Sequence, residues 1–210
     1  MRRGGGGARG ARILASLFAT ALALGVVFLA ASCTGDEAGA GTDETFHGGA
    51  GDLPGRLPDD VSFRKSPPNA LAAPEFSAAL LDGTSVTASD LWGDRPVVLV
   101  FTASACSECA AVLSEVAAVV EEHAGAVALL AVVREDDLKG AREFAEDQQP
   151  EYPIALGSER VWLSYAAEEP PLVVLVAPGG RVLRGWPGGV DGTDLDEELD
   201  KLYKKSGAEN

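Results

Sequence analysis

Histidine, cysteine and methionine are nearly missing from this chain: 210 residues hold two, three and one of them. The two histidines, His47 and His123, lie 76 residues apart. A zinc site built on a cysteine pair normally needs a second pair or a closely spaced histidine pair, and neither exists here, so no metal is expected. Acids are missing from residues 1–33, and every charge is missing from Ile13 to Ser32. Basic residues are scarce everywhere else. After Cys33 there are 13 of them against 32 acids, a net charge of −19 for that part of the chain. Such a surface disfavours nucleic acid and anionic lipid as partners, and it favours solubility.

Arg2, Arg3, Arg9 and Arg12 precede the uncharged run. A basic stretch followed by an apolar one reads as an export signal and not as part of a fold. The run ends Leu29-Ala30-Ala31-Ser32-Cys33, and small residues ahead of a cysteine resemble the bacterial lipobox, in which the cysteine is lipidated. Leu29 sits one place further from the cysteine than in the usual pattern. Cleavage after Ala30-x-Ser32 by an ordinary signal peptidase is an alternative. So is an uncleaved span, since 20 uncharged residues just cross a bilayer. All three leave the arginines inside and the rest of the chain outside the cytoplasm. The expectation is a signal and lipoprotein segment over 1–33, lipidated at Cys33 and anchored to the cell membrane.

Residues 34–69 are rich in Gly, Ala, Asp, Glu and Pro and poor in large apolar residues, which predicts a disordered tether. His47 falls there and is expected to be a solvated loop residue. A folded domain is expected over 70–206, with 207–210 as a tail. No internal repeat is visible.

Within 70–206 the centre is Cys106-Ser107-Glu108-Cys109. The apolar run Val97 to Phe101, of the kind buried on both sheet faces, leads into it. A helical pattern from Ala110 to Glu122, with Val112, Val116, Val119 and Val120 inward, leads out. Two cysteines at this spacing on a first helical turn bring their sulfurs within reach of a disulfide. The positive end of the helix favours a thiolate there. Cys-x-x-Cys in a β–α setting therefore reads as a redox motif. If Cys33 is lipidated, these are the only two thiols left, in a compartment where disulfides persist.

The remaining elements follow from local pattern. Asp82-Gly83 signals a hairpin between Leu80 and Val86. Ser89 and Gly93 are expected to cap and stop a short turn. Val127–Val133 is a second buried strand, Asp136–Gln149 a polar helix with Leu138, Ala141, Phe144 and Ala145 inward, and Glu159–Tyr165 a short helix. Leu172–Val176 is a third apolar strand, paired with Arg181–Gly185. Asp194–Lys205 is a last helix around Leu195, Leu199 and Leu202. His123 is expected on the surface near a helix C-terminus. The order β-β-α-β-α-β-β-α predicts an α/β fold, a mixed central sheet with helices on both faces and an N-terminal β-hairpin extension.

From Leu71 to Lys205 the chain resembles the thioredoxin superfamily, and within it the exported TlpA/ResA-like thiol-disulfide proteins. The likeness rests on Ala73-Pro74-Glu75-Phe76, Asp82-Gly83, the strand into the cysteine pair, and Pro171 followed by a strand and Gly180-Arg181-Val182. Ser104 to Cys109 is also similar to the MauD-like branch. The resemblance implies a thioredoxin-like fold, Cys106 as the attacking thiol, Cys109 as the buried resolving thiol, and Pro171 as a cis-proline beside them. It implies no cofactor.

Three positions depart from the family. Ala105 replaces a tryptophan, Val100 stands where cytosolic thioredoxins bury an aspartate, and Val112 stands where TlpA/ResA-like proteins often carry a glutamate. The usual acceptors for the Cys109 proton are thus absent. Water, Glu108 or Glu115 would have to serve, and resolution is expected to be slow. Glu108, between the cysteines, opposes a Cys106 thiolate and points to a reductant. The function expected is a membrane-tethered thiol-disulfide oxidoreductase, acting on exported proteins with disulfides or thiols and supplied by a membrane electron donor. A peroxiredoxin-like protein shares the lead-in, but its Pro-x-x-x-Thr-x-x-Cys site is absent, with Leu99 and Ala103 in those places. A copper chaperone of the Sco type needs wider cysteine spacing and a later histidine. A non-enzymatic binding module on the cell surface is the alternative from another class.

Overall fold

A computed structural model describes residues 46–123 and 125–204. Cys33, the export segment, the first part of the expected tether and the tail lie outside the described residues. In chain order the elements are β1 (Leu71–Ala72), β2 (Ser77–Leu80), β3 (Ser85–Thr87), α1 (Ala88–Leu91), β4 (Val97–Phe101), α2 (Cys109–Glu122), β5 (Ala128–Arg134), α3 (Leu138–Gln148), β6 (Ile154–Gly157), α4 (Glu159–Ser164), β7 (Leu172–Ala177), β8 (Arg181–Pro187) and α5 (Gly192–Asp200).

The strands form one sheet in the order β1-β8-β7-β4-β5-β6-β2-β3. β4, β5 and β6 run parallel, and β7, β8 and the β2–β3 hairpin are antiparallel to their neighbours. Parallel neighbours need a crossover, and α2 and α3 supply the two required. The apolar runs lie at the middle because both of their faces are covered. Every residue of β4 is buried. Val98 and Val100 point to the layer of α2, α3 and α5, with Leu113, Val116, Ala141, Leu195 and Leu199. Val97, Leu99 and Phe101 point the other way, to α1 and α4, with Trp92, Val161 and Trp162. This alternation is the two-residue period of a strand. Phe101 meets Trp162 edge-on, ring centroids 5.4 Å apart. Each such fully buried large side chain contributes about 1.5–3 kcal/mol. The mixed sheet with helices on both faces and the N-terminal hairpin agree with the expected thioredoxin-like architecture.

Several local expectations are corrected. Ser89 does not cap α1: Thr87 holds that position, because β3 leads straight into the helix. The last helix starts at Gly192, where the Asp191 carboxylate accepts the Thr193 amide at 2.9 Å, and it stops at Asp200. His123 is not a surface residue. Its side chain is 9% exposed and stacked on Tyr203 at 5.5 Å. Nε2 lies 3.1 Å from Asp196 Oδ1 and Nδ1 2.8 Å from the Tyr203 hydroxyl.

Residues 46–69, expected as part of a tether, lie along the domain. The Ile154 amide donates to Gly48 O (3.0 Å), Arg95 Nη2 to Gly55 O (2.8 Å) and the Arg64 amide to Leu202 O (2.7 Å). His47 is half-buried, with Nδ1 3.2 Å from Pro150 O. Main-chain groups accept or donate in each of these bonds, which composition does not reveal, and Leu53 and Phe63 also pack against the core.

Candidate functional site

In α/β sheets sites form beyond the carboxyl ends of parallel strands. Three segments meet at that edge. The loop after β4 carries Thr102 to Glu108, and the turn after β5 carries Glu135-Asp136-Asp137. β7 runs antiparallel, with Leu172 opposite Phe101, so its beginning lies at the same edge and brings Pro170-Pro171 to the cysteines.

Cys106 and Cys109 form a disulfide. Cys109 is the first residue of α2 and 1% exposed, whereas Cys106 is half-buried in the preceding turn. Helical closure explains the spacing: the Cys109 amide donates to Cys106 O and the Cys106 amide to Ala103 O. Cys106 Sγ stands 3.7 Å from the Pro170 carbonyl oxygen. The Pro170–Pro171 bond is cis and Pro171 is buried. Gly188 donates its amide to Pro171 O at 2.8 Å, which holds the turn after β8 against the same loop. Gly189 in that turn has φ +104, and a Cβ there would come within 2.7 Å of Val112. Only glycine suits that conformation.

The carboxylates named from sequence go elsewhere. Glu108 is exposed at the N-cap of α2 and makes no capping bond. Glu115 Oε1 accepts the Gly192 amide at 2.8 Å, at the start of α5. Val100 is fully buried and Val112 half-buried.

One carboxylate was not found from sequence. Asp137 Oδ2 accepts the Ser104 amide at 2.9 Å, and Oδ1 accepts the Ser104 hydroxyl at 2.8 Å. Asp137 stands at the N-cap of α3 without capping it. The acidic run 135–137 signals a helix start. Nothing local links it to a serine 33 residues earlier; the parallel pairing of β4 with β5 does. Gly140 permits the clasp, since a Cβ there would come within 2.5 Å of both Ser104 and Asp137. Behind the disulfide lies a small cavity of about 60 Å³, bounded by Cys106, Cys109, Thr102, Ser104, Gly140 and Phe144 among others.

An accessible sulfur joined to a sealed one at a helix N-terminus is arranged for thiol–disulfide exchange. Cys106 is the accessible sulfur of the two, and Cys109 borders only the small cavity behind it.

Solved structures of similar fold are numerous. The AhpC/TSA family model matches residues 70–180. MTB dsbF, solved in mixed oxidized and reduced forms, is 25% identical, with 61% of this chain and 97% of that one covered and a TM-score of 0.55. The thioredoxin domain of a thiol-disulfide oxidoreductase from Bacteroides vulgatus is 20% identical over 65% and 98% of the two chains, with a TM-score of 0.57. An exposed lipoprotein thioredoxin of Streptococcus pneumoniae is 20% identical over 61% and 100%, with a TM-score of 0.55. No curated protein matches the chain.

Proposed function

The chain belongs to the AhpC/TSA family, and within it we propose that the protein is a membrane-tethered, extracytoplasmic thiol-disulfide oxidoreductase that reduces disulfides of exported proteins. The observation that carries this reading is the asymmetry of the pair, Cys106 accessible beside Pro170 O and Cys109 at 1% exposure. The Cys106 thiolate attacks a substrate disulfide and releases one substrate thiolate. Cys109 then attacks Cys106 Sγ, the mixed disulfide breaks, and the second substrate thiolate leaves. Two electrons pass from the protein dithiol to the substrate, and a membrane electron donor restores the dithiol. Pro171 borders the place where an extended substrate segment would lie. Glu108 beside the pair works against the thiolate and so against a strongly oxidising potential.

Anchoring through Cys33 rests on the sequence ahead of it and finds support in the lipoprotein thioredoxin of Streptococcus pneumoniae. The TlpA/ResA-like branch, or its MauD-like relative, is the subtype favoured by the motifs. A peroxidatic role is disfavoured by Leu99 and Ala103 in the places of the peroxiredoxin proline and threonine.

Trapping with Cys109→Ser tests the reading. That variant should form mixed disulfides with exported proteins through Cys106, and the wild type should reduce a model protein disulfide. A wild type that leaves such a disulfide intact, with no adduct on the variant, would favour a binding module.

A further inference from the structure

Resolution requires that buried Cys109 lose its proton, and burial without a partner charge disfavours a thiolate. The carboxylates expected to help are spoken for or outside. Glu115 is bonded to Gly192, and Glu108 is exposed. The cavity behind the disulfide offers another way out. Both cysteines, Thr102 and Ser104 bound it, and most of the remaining wall is apolar. Its volume of about 60 Å³ has room for water, which needs roughly 10–15 Å³ and two or more polar partners. The hydroxyl of Ser104, a residue of that wall, donates to Asp137 Oδ1 at 2.8 Å. Asp137 does not itself border the cavity and reaches it through Ser104.

We propose that Asp137, acting through Ser104 and water in this cavity, receives the Cys109 proton during resolution of the mixed disulfide. The inference rests on the oxidoreductase reading and deepens it. The Cys109 S–H proton passes to cavity water and on through the Ser104 hydroxyl to the Asp137 carboxylate. The Cys109 sulfur forms its bond to Cys106 Sγ. The bond from Cys106 to the substrate sulfur breaks, and its electron pair leaves on the substrate thiolate. That thiolate takes a proton from solvent, and Asp137 returns its own to solvent. No further oxidant or reductant is needed.

Other charged groups stand on the elements packed around the pair. Glu135 and Asp136 adjoin Asp137. Lys139 on α3 pairs with Glu143 at 2.7 Å. Arg142 lies further along α3. Glu168 and Glu169 are exposed ahead of Pro170, and Asp191 caps α5. None of them borders the cavity. On this proposal Asp137 takes the part that Val100 and Val112 leave open, and resolution is faster than those two positions alone predict.

The test is a stopped-flow reaction of reduced protein with one equivalent of a chromogenic aromatic disulfide. One coloured thiolate is released when Cys106 attacks and the second when Cys109 resolves. Asp137→Asn keeps an oxygen for the Ser104 amide and loses the proton acceptor; Ser104→Ala keeps the carboxylate and cuts the link. In both, the first phase should be unchanged and the second slowed about tenfold or more near neutral pH. The deficit should close as pH rises past the ordinary thiol range near ~8.5, where hydroxide removes the proton directly. An unchanged second phase in either variant would overturn the relay alone. So would a deficit that is equal at every pH or shared by both phases, the mark of a structural role. A wild type with no first phase would overturn the oxidoreductase reading and the relay with it.

Discussion

Cys106 Sγ and the Pro170 carbonyl oxygen stand 3.7 Å apart across 64 residues of chain. The contact is a product of sheet register, because Leu172 pairs with Phe101 at the end of β4. It leaves Cys106 half-accessible, while Cys109 is sealed at the start of α2.

The two thiols of the reduced protein should therefore differ sharply in reactivity. A brief alkylation pulse should label Cys106 and spare Cys109, as read by mass spectrometry. Cys106→Ser should abolish disulfide reduction. Cys109→Ser should still attack once and then remain as an adduct. Equal labelling of both thiols would contradict the assigned roles.

All three tyrosines of the chain, Tyr152, Tyr165 and Tyr203, are held above the ordinary phenol range. Burial is the cause for Tyr152 and Tyr165; for Tyr203, burial acts first, then the charges of Asp200 and Asp196. A group whose folded pKa is raised stabilises the fold fully below its unfolded pKa, here ~10, and loses that contribution as pH climbs toward the folded value. The denaturation midpoint should fall from about pH 9 to about pH 11, with tyrosinate absorbance appearing as the chain unfolds. A flat midpoint with native tyrosines already ionised near pH 10 would refute this.

His123 joins α2 to the C-terminal segment. With the Nε2 proton given to Asp196, Nδ1 accepts the Tyr203 hydroxyl, and the rings stack. His123→Ala should cost about 1–3 kcal/mol in a denaturant titration. Because His123 follows the last residue of α2 and Cys109 is its first, the variant should leave the redox potential of the cysteine pair unchanged.

Much of this could be read from the sequence, and the unread part has a common cause. Val97–Phe101, Val127–Val133 and Leu172–Val176 are legible as strands because burial on both faces demands unbroken apolar runs. Asp82-Gly83 marks its hairpin, with Gly83 at φ +84. The cysteine pair is legible because its spacing is local. The Ser104–Asp137 clasp, the His123–Tyr203 stack and the docking of residues 46–69 join distant segments through isolated polar, aromatic or main-chain contacts, and those leave no periodicity. In α2 the pattern gave the inner face with a slight rotation: Leu113 is fully buried, and Val112 and Val120 only half.

Cys33 should carry the anchor. Cys33→Ala should release the domain from membranes or leave the precursor unprocessed, as judged by fractionation and apparent size. Unchanged retention and size would point to an uncleaved span.

A glutathione redox titration measures directly whether the cysteine pair exchanges electrons as a reductant. The wild type should titrate as a two-electron couple near thioredoxin's ~−270 mV, well below the ~−120 mV of a strong oxidase. Glu108→Gln should raise both the potential and the thiolate fraction of Cys106 at neutral pH. A wild-type potential above about −180 mV would contradict the reductant role. A pair that does not exchange with glutathione at all would contradict the oxidoreductase itself.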